Sequence, residues 1–216
     1  SEGYLLHAEP YCGVDTDLKV SGLGQSADVV LGLIGKCDVK TGSTVTFDNL
    51  FTSLPLLDEL TDLGIGGLGT LRQNRFNGAP VANKTTLAKK PRGSYYFATD
   101  DKNLIVTWLD NKAVTCATNY LTCNPVGTAK RWSKSAKKRI DVPMPKPFED
   151  YNKKMGGVDL FDQFVATYRI RIRSKKWWWP FFAWAVNSSM AIMPGTFFAL
   201  YIRKKLACWS SKERLS

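Results

Sequence analysis

Three acidic residues, Asp48, Asp159 and Asp162, stand where carboxylates could do chemistry, although each alone has a plain structural explanation. Asp48 ends a short β-prone run at 44–47 and precedes Asn49, which an Asp-Asn turn would account for. Asp159 and Asp162 lie three apart in GGVDLFDQF, a spacing that sets both carboxylates on one helix face. An N-cap at Asp159 with an acid in the first turn explains that pair without any ligand. Taken together, the three suit a hard divalent cation such as Mg²⁺, with Mn²⁺ as a substitute. Such ions take carboxylate oxygens and keep open positions for water and phosphate. Two of them can activate an attacking oxygen and stabilise the leaving one. All three acids are therefore candidate catalytic and metal-binding residues. The cations that follow, Arg169, Arg171, Arg173, Lys175 and Lys176, supply a complementary phosphate-binding surface, with no Asp or Glu between Gln163 and Lys212.

The elements that must position these groups read as follows. Residues 4–8 look like a strand, and 27–34 like a helix whose start Ser26 could cap. Residues 44–47 form a strand ending at Asp48. Ser53 and Pro55 open a second helix that carries Leu56, Leu57, Leu60 and Leu63 on one face, and Gly64 closes it. The glycine-rich but apolar 65–71 suits an inner strand, with Arg72 at its end as a candidate phosphate contact. Alternating strands and helices indicate an α/β sheet. From 73 the chain turns polar, then offers three strands at 95–99, 104–109 and 113–119, joined by turn residues into an antiparallel meander. A basic loop follows at 129–139, with Lys134, Lys137, Lys138 and Arg139 as candidate DNA contacts. Either a nuclear-import signal or a merely solvated loop would also explain it. Pro143, Pro145 and Pro147 suggest a stiff extended connector, after which the pattern is helical. The expected organisation is 1–72 as the first part of a core, 73–147 as a β-rich insertion and 148–216 as its helical completion.

A net charge of +11, from 30 basic and 19 acidic residues, favours polyanionic partners. Five scattered cysteines and a single histidine, His7, argue against a disulfide framework and a Cys/His zinc site. Cys116 and Cys123 are better explained as core residues. Residues 177–202 carry no charge and are long enough to span a bilayer, but Asn187, Ser188, Ser189 and the Pro194–Gly195 pair favour a buried, broken helix. Trp177–Trp179 are expected in the core beside Arg173, Lys175 and Lys176, with base stacking as the alternative. No membrane and no small-molecule substrate is expected.

Two motifs go further. DN-x-F-T-S within TFDNLFTSLPLL (46–57) and MGGVD-x-x-D within YNKKMGGVDLFDQ (151–163), followed by RSKKWWWPFF (173–182), resemble the catalytic region of piggyBac-type transposases. More narrowly, they resemble the host-genome piggyBac transposable element-derived proteins. The similarity runs from GYLLHAEPYCG onward through nearly the whole chain. It implies a ribonuclease-H-like core, a β-rich insertion between the second and third family aspartates, and Mg²⁺-dependent cutting and joining of DNA. It implies further a nuclear protein that acts as a dimer on DNA. Asp48 matches the second family aspartate, Asp159 the third, and Asp162 the acid just after it.

The family's first aspartate lies on a strand upstream of the matching region, and its Cys/His-rich zinc module lies downstream. Neither falls within these 216 residues. The expectation is either a piece of a complete transposase or a decayed or domesticated DNA-binding copy, with little or no transposition from this chain alone. The stretch after Pro194–Gly195 also departs from the family's continuous helix.

Overall fold

A computed structural model describes residues 3, 5–10, 16, 18, 20–72, 75, 78, 84–134, 136–167 and 173–192. The chain forms two compact units, Glu9–Met155 and a smaller one of Ser1–Ala8 with Gly156–Ser216.

The larger unit is built on one mixed sheet. Its elements in order are α1 (Gln25–Lys36), β1 (Thr44–Phe47), α2 (Leu54–Asp62), β2 (Gly66–Thr70) and a short α3 (Lys84–Leu87). There follow β3 (Tyr95–Thr99), β4 (Leu104–Leu109), β5 (Ala113–Thr118), β6 (Gly127–Ser133), β7 (Lys138–Met144) and α4 (Lys146–Lys154). Five strands run in the order β1-β2-β5-β4-β3. β1 and β2 are parallel, from Thr44↔Gly66 to Phe47↔Gly69, with α2 as the connection that a parallel pair requires. β5 then pairs antiparallel with β2, and β4 and β3 continue the meander. The three strands expected at 95–119 are present, but they extend the core sheet instead of forming a sheet of their own. The reason is β2, whose second edge is open to β5.

The sheet is covered on both faces. Ala27 and Val30 of α1, and Leu56, Leu57 and Leu60 of α2, pack with Phe47, Ile105 and Ala117 on one side. On the other, Ala129, Val142 and Met144 of a β6–β7 hairpin and Phe148 of α4 pack with Leu104, Val106, Trp108 and Cys116. β4 is consequently buried along its whole length. The glycines of β2 permit the close approach of α2. A Cβ at Gly67 would stand 2.7 Å from Leu57 and 2.8 Å from Leu60. Cys116 and Cys123 are core residues, as expected.

Several local expectations are corrected. The second helix starts as read: the Ser53 hydroxyl accepts the Leu56 amide at 3.4 Å and Pro55 occupies the first turn. Leu63, at the helix end, is exposed. In α1 the cap position falls to Gly24 (φ 99°), not Ser26, and the first-turn Asp28 accepts the Ser21 amide at 2.6 Å. Residues 5–8 form no strand. They belong to the smaller unit, where a Cβ on nearby Gly3 would stand 3.1 Å from Leu160. The basic stretch is a β-hairpin more than a loop, since Lys130 and Arg131 lie on β6 and Lys138 and Arg139 on β7. The chain is extended at Pro143 and Pro145, as expected, but these belong to a strand and a helix cap instead of a free connector. Pro143 pairs within β7, Pro145 caps α4 and Pro147 lies in its first turn. Pro143 is tolerated because β7 pairs with β6 alone.

The smaller unit contains α5 (Gly156–Thr167) and α6 (Trp179–Ile192), which pack together. The expected burial of the tryptophans does not hold. Trp177 is 82% exposed, Trp178 is also exposed and Trp179 is half-buried. The buried positions of α6, namely Asn187, Ser188 and Met190, lie in its second half, whereas Phe181, Phe182 and Trp184 of the first half are exposed. Trp178 and Trp179 both contact the Phe182 ring, with centroids 6.0 and 5.5 Å away. Among the described residues no helix is long and apolar enough to cross a membrane. Arg169, Arg171, Pro194 and Gly195 lie outside the described residues.

Candidate functional site

Asp48 is the first residue past β1, so it stands at the carboxyl edge of the parallel pair, where open α/β sheets bind their ligands. Its backbone makes the turn that sequence suggested. The Asp48 carbonyl accepts the Phe51 amide at 3.0 Å, the Thr52 amide at 3.3 Å and the Thr52 hydroxyl at 3.0 Å. Its half-buried carboxylate accepts the Asn49 amide at 2.6 Å, and among the described residues no cation pairs with it.

Two guanidinium groups are fixed around this turn. Arg72, just beyond β2, donates its Nε to Asn49 Oδ1 at 2.9 Å and remains exposed. Arg75 donates to the carbonyls of Leu50 at 2.8 Å and Thr52 at 3.0 Å. Arg72 was legible as the end of an inner strand; Arg75 was not, since only the fold returns it to the Asp48 turn. Tyr151 was missed as well. It projects from α4 to place its hydroxyl 3.5 Å from Thr70 Oγ1 at the end of β2. Burial raises its phenol above the ordinary pKa. The Thr70 contact lowers it, and the negative charge of Asp48 raises it further. Asp48 and Tyr151 are thus electrostatic neighbours within one unit. The available signal was the position of Tyr151 within the second motif.

In the smaller unit Asp159 and Asp162 lie one turn apart on α5, both exposed and, among the described residues, without a hydrogen bond or ion pair. Phe161 and Val165 take the buried side of that helix. The positive end of α5 favours Asp159 in its first turn whether or not it binds an ion. Asp48 belongs to the other unit. Among the described residues neither unit gathers three His, Cys, Asp or Glu side chains able to hold a metal ion.

The candidate DNA contacts are placed where solvent reaches them. Lys134, Lys137, Lys138 and Arg139 are exposed at the end of the β6–β7 hairpin. The hairpin is tied to the sheet by Asp110, which accepts Arg131 Nε at 2.9 Å and also pairs with Arg92. Arg173, Lys175 and Lys176 are exposed ahead of α6.

A family model described as Transposase IS4 matches residues 1–191. The human PiggyBac transposable element-derived protein 3 is 35% identical over 179 residues, covering 82% of this chain and 30% of that protein. The chain belongs to the piggyBac transposase family. A second human member, PiggyBac transposable element-derived protein 2, is 29% identical over 194 residues, covering 88% of this chain and 33% of its own length. The chain therefore spans about a third of the curated piggyBac relatives it matches. Among solved structures, a piggyBac transposase in a synaptic complex with hairpin DNA superposes with a TM-score of 0.65 at 23% identity. That match covers 88% of this chain and 37% of the other. The mixed five-stranded sheet with its two-stranded hairpin is thus a piggyBac-type fold.

Proposed function

We propose that this chain is the DNA-handling part of a piggyBac-type transposase core with a ribonuclease-H-like fold, working in the nucleus. Asp48, Asp159 and Asp162 are the acids it contributes to Mg²⁺- or Mn²⁺-dependent cutting and joining of DNA by the whole protein. Arg72, the hairpin residues Lys134, Lys137, Lys138 and Arg139, and Arg169, Arg173, Lys175 and Lys176 hold the phosphate backbone. The observation that carries the reading is the Asp48 carboxylate, half-buried at the carboxyl edge of the parallel pair with no cation paired to it among the described residues. Arg72 and Arg75 frame the turn that holds it. A carboxylate so placed is available to a ligand instead of being consumed by the fold. The solved neighbour in complex with hairpin DNA supports DNA as the partner.

A second reading is favoured by the cations exposed on the β6–β7 hairpin and ahead of α6: a non-catalytic DNA-binding protein of transposon origin, which keeps the fold and the cations but not the chemistry. Both readings predict that residues 1–216 bind duplex DNA in a strongly salt-dependent way and do not cut it. Failure to bind DNA in a mobility-shift titration, or robust Mg²⁺-dependent nicking of a plasmid by this chain alone, overturns the proposal. The two readings separate in the full-length protein. Mg²⁺ or Mn²⁺ titration beside Asp48→Ala and Asp159→Ala shows weakened metal binding in both variants under the first, and no difference under the second.

A further inference from the structure

The β6–β7 hairpin carries a side chain that its own fold does not use. Alternation along β6 turns Ala129 and Arg131 toward the sheet, where Ala129 packs in the second core and Arg131 meets Asp110. Trp132 turns the other way. It is 59% exposed, and among the described residues no aromatic ring or cation covers it. Its backbone is held in place, because its carbonyl accepts a hydrogen bond from Arg92 Nη1 at 3.2 Å. Arg139 is its direct cross-strand partner, and Lys130 lies two residues away on the same face opposite Asp141. Lys134 and Lys137 continue past the strand ends, both exposed. An indole with a free face, on a backbone fixed by hydrogen bonds and ringed by cations, has the composition of a single-strand binding platform. Each base offers a π-face, and the cations track the phosphates on either side.

We infer that Trp132 is a stacking platform for an unpaired base of DNA, with Lys130, Lys134, Lys137 and Arg139 binding the adjoining phosphates. This rests on the DNA-handling reading above and adds a preference to it. A duplex keeps its bases stacked on one another and offers the indole only its ends, so the platform distinguishes unpaired from paired DNA.

The test is fluorescence anisotropy on the 216-residue chain, with a labelled single-stranded oligonucleotide and a blunt duplex of equal length. Trp132→Ala weakens single-strand binding about tenfold or more, with duplex binding nearly unchanged. Trp132→Phe retains most of the single-strand affinity, because a phenyl ring still stacks. The double substitution Lys137→Ala with Arg139→Ala weakens both probes and flattens the salt dependence. Unchanged single-strand binding by Trp132→Ala, or an equal loss on both probes, overturns the inference while leaving the DNA-handling reading intact. A wild-type chain that binds neither probe overturns both. Because Trp132 is a surface residue, an unaltered thermal melt of each variant accompanies the expected result.

Discussion

Asp48 closes a turn without using up its carboxylate on a cation. Its backbone closes the Asp-Asn turn that sequence alone suggested, while its carboxylate stays without a cation among the described residues. The turn orients the side chain at a strand edge and so does not compete with a ligand role. Other positions serve packing alone. A Cβ at Gly69 would stand 2.8 Å from the Phe47 ring and would also meet the Thr52 hydroxyl. Gly69→Ala is therefore expected to lower unfolding free energy by about 1–3 kcal/mol, read from urea denaturation. Cys116 gives a pH test. Burial raises its thiol well above the ordinary range. The unfolded chain releases that proton above about pH 8.5 while the folded chain keeps it, so stability falls as pH rises past that point. A urea midpoint that falls between pH 8 and 10 in the wild type, and falls less in Cys116→Ala, is the expected outcome. Native alkylation mapped by mass spectrometry should leave Cys116 unmodified, because the thiolate is the reactive form.

Among the elements, β1, α2 and β2 were legible because their signals are local. Ser53 and Pro55 mark a helix start, and Leu56, Leu57 and Leu60 recur on one face and are fully buried. Ser53→Ala removes one cap hydrogen bond and should cost about 0.5–1 kcal/mol in the same denaturation assay. The hairpin was less legible. A run of Lys and Arg reads as solvated chain, yet Ala129, Val142 and Met144 alternate with the charges and supply the buried side. What fastens this element is a long-range contact, Asp110 with Arg92 and Arg131. Asp110→Asn leaves two partly buried guanidinium groups without their carboxylate. Its expected effect is a loss of about 1.5–3 kcal/mol. The start of α1 failed for a comparable reason: the Asp28 carboxylate reaches back to Ser21, and no cap propensity encodes that reach.

For the whole molecule, the +11 charge should show itself as salt-dependent DNA binding, with log affinity falling by about 0.9 per phosphate neutralised for each decade of salt. Lys137→Ala with Arg139→Ala should reduce that slope by about two units if each holds one phosphate, measured by anisotropy over a salt series. Sequence by itself determined the family, through two motifs whose residue types and separation are specific, and it determined the α/β class through periodicity and turn residues. It also offered Asp48, Asp159 and Asp162 as candidate acids and the Lys and Arg clusters as candidate phosphate contacts. Only tertiary structure decided that the 95–119 strands extend the core sheet, that Arg75 and Tyr151 converge on the Asp48 edge, and that the tryptophans ahead of α6 are exposed. Motifs and periodicity report what a segment does with its near neighbours. Which strand edge is free, and which side chain meets another many residues away, depend on packing that no local pattern contains.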